Sequence, residues 1–136
     1  MADSSRRIML KVDKDELKRR LTREQYDVCV DKGTERPFTG EYWDDHERGV
    51  YKCVVCSADL FSSETKFDSG TGWPSFWQPT SGDRVKAKSD YSLFTRRIEA
   101  TCAHCDSHLG HIFDDGPPPT NQRYCINSAA LRFVKS

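Results

Sequence analysis

The six cysteines of this chain fall into two kinds. Four form two Cys-x-x-Cys pairs, Cys53/Cys56 and Cys102/Cys105, while Cys29 and Cys125 stand apart. Two residues between cysteines allow one tight turn to present both sulfurs to one ion, and four thiolates satisfy a tetrahedral zinc. The pairs lie far apart in the chain, so the fold has to bring two turns together. A redox dithiol is the competing reading of either pair, but no strand–helix–strand pattern surrounds them. A small, polar domain gains folding free energy directly from such an ion. The expectation is one structural Zn2+ per chain with no open coordination position, and with His104, between two ligands, left exposed.

A second group of residues has the types needed for thiol chemistry. Cys125 sits in Arg123-Tyr124-Cys125-Ile126-Asn127. In an extended strand Arg123, Cys125 and Asn127 share one face. A guanidinium beside a thiol favours the nucleophilic thiolate, and the Asn amide can donate or accept a hydrogen bond. A buried, inert cysteine is the alternative. His108 and His111 bracket Leu109-Gly110, where Gly110 would permit a tight turn aiming both imidazoles at one spot. Histidine titrates near neutral pH and suits proton delivery to a reacting oxygen; a second metal site is the competing use of the pair. Gly72-Trp73-Pro74-Ser75-Phe76-Trp77 supplies candidate substrate-binding aromatics, Trp73 and Phe76. Core packing competes with that role and is preferred for Phe76 and Trp77, whereas an indole face at Trp73 suits a polarisable, sulfur-bound methyl group.

The elements that must position these residues are short. At 136 residues the chain fits a single domain, 1–136. Residues 1–12 read as a loose N-terminal arm. Residues 13–21 have helical composition, and Thr22-Arg23-Glu24-Gln25 matches a capping box opening a second helix through Val28. From Gly49 onward strand signals take over, at residues 50–54, 84–88, 92–101 and 123–134, with turn residues between them. The expected fold class is mainly β: antiparallel strands in a small zinc-stabilised domain, after one or two short N-terminal helices.

Lys plus Arg equals Asp plus Glu, 21 of each, so no electrostatic pull toward nucleic acid or a membrane surface is implied. No apolar run approaches the ~18 residues of a membrane span, and Ile8-Met9-Leu10 is too short for a secretory signal core. The expected location is cytoplasmic, a reducing compartment in which paired cysteines serve as ligands or redox thiols. Nothing in the sequence demands more than a monomer.

With those residues in view, the chain resembles the B-type methionine sulfoxide reductases over residues 22–134. The resemblance rests on Thr34-Glu35-Arg36-Pro37-Phe38, the two Cys-x-x-Cys pairs, the stretch Lys66 to Phe76, His108-Leu109-Gly110-His111-Ile112-Phe113, Asp115-Gly116-Pro117 and Arg123-Tyr124-Cys125-Ile126-Asn127-Ser128, all in one order. It implies a β-rich, two-sheet domain whose four-cysteine zinc site is distant from the active site. It implies reduction of methionine-R-sulfoxide residues in oxidised proteins, with Cys125 as nucleophile passing through a sulfenic acid. His108, His111 and Asn127 would shape the acid–base network, Arg123 and Asp115 would support it, and Trp73 would pack on the substrate methyl. Many members carry a resolving cysteine where this chain has Thr71. Cys29 is then the expected resolving partner, forming a Cys29–Cys125 disulfide that thioredoxin or a similar thiol reductant reopens; Cys29 as spectator, with an external thiol acting directly, is the alternative. A zinc-stabilised β binding module without chemistry is the competing class, and it leaves Cys125, the His pair and Trp73 unexplained.

Overall fold

The computed structural model describes residues 13–91 and 96–136. The expected N-terminal arm and the first part of the strand expected over 92–101 lie outside the described residues. Helix α1 spans Lys14–Arg20 and α2 spans Arg23–Cys29. Asp13 caps α1 by accepting from the backbone N–H groups of Asp15 and Glu16, with acidic residues in the first turn and basic ones in the last, as the helix dipole favours. The capping box of α2 is present in both directions: Thr22 accepts from Gln25 N–H, and the Gln25 side chain accepts from Thr22 N–H. Leu17, Leu21, Val28 and Cys29 turn inward to the core.

Nine strands form two antiparallel sheets among the described residues. β1 (Gly49–Cys53), β2 (Asp59–Ser62) and β9 (Leu131–Lys135) make a three-stranded sheet in the order β2-β1-β9. β3 (Lys66–Phe67), β4 (Ser75–Phe76), β5 (Val85–Asp90), β6 (Arg97–Cys102), β7 (His108–Phe113) and β8 (Arg123–Ile126) make a six-stranded one in the order β3-β4-β8-β7-β6-β5. This is the expected mainly β, two-sheet fold.

Two adjacent rungs of the larger sheet explain how it serves both a core and a cleft. One rung runs Lys66–Phe76–Tyr124–Ile112–Ile98–Ser89 across all six strands. Its Phe76 stacks on Phe61 of the smaller sheet at 4.4 Å between ring centroids and meets Tyr51 edge-on at 5.2 Å. The next rung runs Phe67–Ser75–Cys125–His111–Glu99–Lys88 and points to the opposite face. One face is therefore apolar and packed, and the other carries the thiol and the imidazole.

The strand expected over 123–134 is two strands in two sheets. The chain leaves the larger sheet after Ile126, passes through a 3-10 turn at Ser128–Ala130, and enters the smaller sheet at Leu131. The break is stabilised by Glu35, whose buried carboxylate accepts from Ser128 N–H at 2.8 Å and Ala129 N–H at 2.9 Å. Gly110 is not in a turn either; it lies inside β7. A Cβ there would run into the Cys125 carbonyl oxygen and sit 3.0 Å from Ile126 Cα, so only glycine lets β7 and β8 approach this closely. Gly110→Ala is expected to lower stability by ~3 kcal/mol or more through overpacking, measured as the urea midpoint of unfolding.

Candidate active site and metal centre

The metal centre is built from two equivalent turns, one from each sheet. In the β1–β2 hairpin, Ser57 N–H donates to Cys53 O and Cys53 N–H to Ala58 O, each at 2.8 Å. In the β6–β7 hairpin, Asp106 N–H donates to Cys102 O at 2.8 Å and Cys102 N–H to Ser107 O at 2.9 Å. Ser57 and Asp106 occupy the same place in each turn and adopt the left-handed conformation, φ 68° and 67°. The four sulfurs of Cys53, Cys56, Cys102 and Cys105 lie within 4.8 Å of one another, with Cys53–Cys105 at 3.7 Å and Cys56–Cys102 at 3.6 Å. A tetrahedral ion with metal–sulfur bonds of ~2.3 Å needs sulfurs ~3.8 Å apart, so the four can hold one metal ion and close its coordination shell. His104 is exposed, as expected. Cations clasp both turns: Arg20 donates to Val54 O and Val55 O, and Lys86 and Lys88 reach Asp106 at 3.1 and 3.0 Å.

A separate cleft of about 100 Å³ is lined by Thr34, Trp73, Arg97, His111, Cys125 and Asn127, together with Gly110 and Phe113. His111 and Cys125 are direct cross-strand partners. His108 and His111 are three residues apart, a spacing that puts side chains on opposite faces of a regular strand. Here Ala100 pairs with Gly110 and Thr101 with His108, so Leu109 is an extra residue in β7. This bulge restores a common face, and the rings meet edge-on with centroids 5.5 Å apart. His108 is buried behind His111, its Nδ1 donating to Glu99 Oε2 at 2.8 Å, and burial lowers its pKa against the opposing effect of Glu99. His111 Nε2 donates to Asp90 Oδ2 at 3.1 Å, and Asp90 lies 3.5 Å from Arg97 Nη2.

Cys125 is half-buried, and burial raises its thiol pKa above the usual value; Thr71 and Arg123 pull in the other direction. Thr71 Oγ1 lies 4.0 Å from its sulfur and belongs to a hydroxyl chain in which Ser69 meets Thr71 at 2.8 Å and Ser75 at 2.7 Å. Arg123 is held by a two-point contact to Asp115, Nε to Oδ1 at 2.8 Å and Nη2 to Oδ2 at 3.2 Å, and lies over the Phe113 ring at 4.2 Å. This pinning orients the guanidinium.

Asn127 lies just past the end of β8 and lines the cleft. Its Nδ2 donates to Leu109 O at 3.0 Å, and its Oδ1 accepts from Glu35 N–H at 3.0 Å. Trp73 Nε1 donates to Glu35 O, also at 3.0 Å. Glu35 thus fixes Asn127 and Trp73 with its own peptide groups. Glu35, Glu99, Asp90 and Arg97 are site residues that the sequence reading did not single out. Glu35 lies in a motif that carries the family resemblance, and Arg97 and Glu99 lie in the strand expected over 92–101, but nothing local marks any of them as a site residue.

Two expected site residues fall elsewhere. Phe76 is fully buried on the sheet face opposite Cys125 and does not reach the cleft; it neighbours Ser75, the pairing partner of Cys125, and one step along a strand reverses the face. Cys29 is buried at the end of α2 and does not line the cleft. The thiols that act on it electrostatically are Cys102 and Cys105, and its pKa is pushed up to about 12, mainly by burial.

Residues 21–135 match the SelR domain. The chain belongs to the SelR domain family. It is 58% identical over 123 residues to peptide methionine sulfoxide reductase B1, chloroplastic, of Oryza sativa subsp. japonica, covering 90% of this chain and 57% of that protein. It is 58% identical over 118 residues to peptide methionine sulfoxide reductase MsrB of Hahella chejuensis, covering 87% and 85%. It is 55% identical over 119 residues to methionine-R-sulfoxide reductase B3, mitochondrial, of Mus musculus, covering 88% and 47%. The chain thus spans about half the length of its rice and mouse relatives and most of the bacterial one. No helix of the described residues is long and apolar enough to cross a membrane.

If the four cysteines hold a structural metal, Cys53→Ser is expected to abolish metal binding and lower the melting temperature by ~10 °C or more. Metal analysis paired with calorimetry checks this, and an unchanged melting temperature with the metal lost would contradict a structural role.

Proposed function

We propose that this chain reduces methionine-R-sulfoxide residues in proteins to methionine, with Cys125 as the nucleophile. One observation carries the reading: a partly exposed thiol, an imidazole on the same rung and an indole share one small cleft. The names of the SelR relatives support the same chemistry. The Cys125 sulfur attacks the sulfoxide sulfur and gives up its thiol proton to His111, which, oriented by Asp90, passes a proton to the sulfoxide oxygen. The substrate S–O bond breaks and an S–O bond forms on Cys125, giving a sulfenic acid and methionine. The substrate sulfur gains the electron pair that the cysteine sulfur loses. Trp73 packs on the substrate methyl, and Asn127 supplies a hydrogen bond.

Burial raises the pKa of the Cys125 thiol, against the lowering effects of Thr71 and Arg123. Arg123, held by Asp115, stabilises the thiolate as it forms. Recycling consumes two reducing thiols, yielding a disulfide and water. We assign these to an external reductant of the thioredoxin kind, because Cys29 is buried at the end of α2 and does not line the Cys125 cleft, whereas a disulfide needs the two Cα atoms within ~7 Å. The ion in the four-cysteine clamp is assigned as zinc from its all-thiolate shell, and its role is structural. The protein acts as a monomer in the cytoplasm, where thiols are kept reduced.

Assay of both sulfoxide epimers with dithiothreitol should show turnover of the R epimer alone, and Cys125→Ser should lose at least ~10³-fold in kcat. S-epimer preference or an active Cys125→Ser variant would refute the assignment and favour a binding module. After one turnover without reductant, mass spectrometry should find sulfenic acid on Cys125 and Cys29 free; a Cys29–Cys125 disulfide would restore the intramolecular route. Since the Cys125 pKa is raised, its alkylation by iodoacetamide should keep accelerating above pH 9, and Thr71→Val should move that rise to still higher pH.

A further inference from the structure

Phe38 is a large apolar side chain left 55% exposed, and its backbone sits in the left-handed region at φ 65°. The other non-glycine residues in that region, among the described residues, are Lys32, Ser57, Asp106 and Asn121, all of them polar. A bulky residue there is an outlier that calls for a reason, and backbone strain of this kind collects where a ligand is held. The conformation is fixed from the segment that carries the cleft's indole. Phe38 N–H donates to Gly72 O at 2.8 Å. A Cβ on Gly72 would lie 2.7 Å from Pro37 Cβ and 2.8 Å from Phe38 Cδ2, so the Pro37-Phe38 turn rests directly on Gly72. The next residue, Trp73, lines the thiol cleft, and so does Thr34 at the start of the segment that leads to Phe38. The Phe38 ring stands edge-on to half-buried Trp43, with centroids 5.0 Å apart, and Pro37 beside it is exposed. An apolar surface patch therefore adjoins the cleft through the Gly72–Trp73 peptide.

We propose that Phe38, backed by Trp43, is a substrate subsite beside the cleft: it takes an apolar side chain that neighbours the methionine sulfoxide in an unfolded stretch of an oxidised protein. The proposal rests on the reductase reading. Oxidation turns an apolar methionine polar and disrupts the core that held it, so a segment presented for repair carries apolar residues that have lost their partners. With the sulfoxide in the cleft against Trp73 and Cys125, the flanking chain crosses the Gly72–Trp73 turn and its neighbouring side chain meets the Phe38 ring. A ring already held in place loses little freedom when it is covered, which favours binding. The contact is remote from the sulfur and is the same in the bound substrate and in the transition state. It therefore lowers KM and leaves kcat alone.

The test is steady-state reduction of blocked peptides by the metal-loaded protein with dithiothreitol. The reference peptide has methionine-R-sulfoxide between glycines, and the others carry leucine at each flanking position in turn. For the wild-type protein at least one leucine peptide should show a KM about fivefold below the reference, with kcat within about twofold. Phe38→Asn removes the ring and suits the left-handed backbone, so it should bring the ratio of the two KM values to about one. Phe38→Tyr keeps the ring and should keep the ratio. The wild-type comparison needs no variant to fold: if leucine confers no advantage at any position, the proposal is overturned. A leucine advantage that survives in Phe38→Asn, or one that appears in kcat and not in KM, would overturn it as well. Failure of the reductase reading looks different: the wild-type protein would then turn over none of the peptides, the reference included.

Discussion

The arrangement of the cleft depends on where β7 begins. The second cysteine turn closes with Cys102 N–H on Ser107 O, and β7 starts at the next residue. The second cysteine turn therefore sets the phase of the strand that carries both histidines. One residue later the bulge at Leu109 shifts that phase by one, which is what places His108 and His111 on the face of Cys125. The first cysteine turn belongs to the other sheet, so the same four sulfurs also join the two layers. A clamp whose cysteines do not line the cleft thus fixes sheet packing and side-chain phase together, and the cleft inherits its geometry from both.

Glu35 does for the other wall what the clamp does for β7. Its N–H, C=O and carboxylate each hold a different element: Asn127, Trp73 and the turn after β8. The buried carboxylate has its pKa raised by desolvation, against the two backbone N–H groups that it accepts from. A larger hollow of about 410 Å³ lies on this side, lined in part by Glu24, Glu41, Tyr42 and Arg132. Neither a cysteine nor a histidine lines it, so the larger hollow is not the one that holds the thiol and the imidazole.

What was legible in the sequence had a local cause. The capping box at Thr22, the paired cysteines and the Arg123-x-Cys125 alternation each depend on spacing within a few residues, and each appears in the fold. What was illegible depended on partners far along the chain. Gly110 reads as a turn residue, yet its need for no side chain comes from Cys125 in the next strand. A glutamate reads as surface charge, and only the fold reveals that Glu35 and Glu99 are buried on backbone donors and a histidine. Phe76 sits in an aromatic motif, but its role was decided by a strand face whose parity the sequence does not mark. The division of residues 123–134 between two sheets likewise follows from a carboxylate about ninety residues upstream.

The cysteine clamp also alters the electrical character of the chain. Its formal charge of zero counts every cysteine as a neutral thiol. Four thiolates around one divalent ion would leave two negative charges in a largely buried site. Arg20, Lys86 and Lys88, drawn in around the two turns, stand as the counter-charges. Loaded with such an ion, the protein would be an anion where the bare polypeptide is neutral, and copies would repel one another in a way that the amino-acid composition alone does not provide.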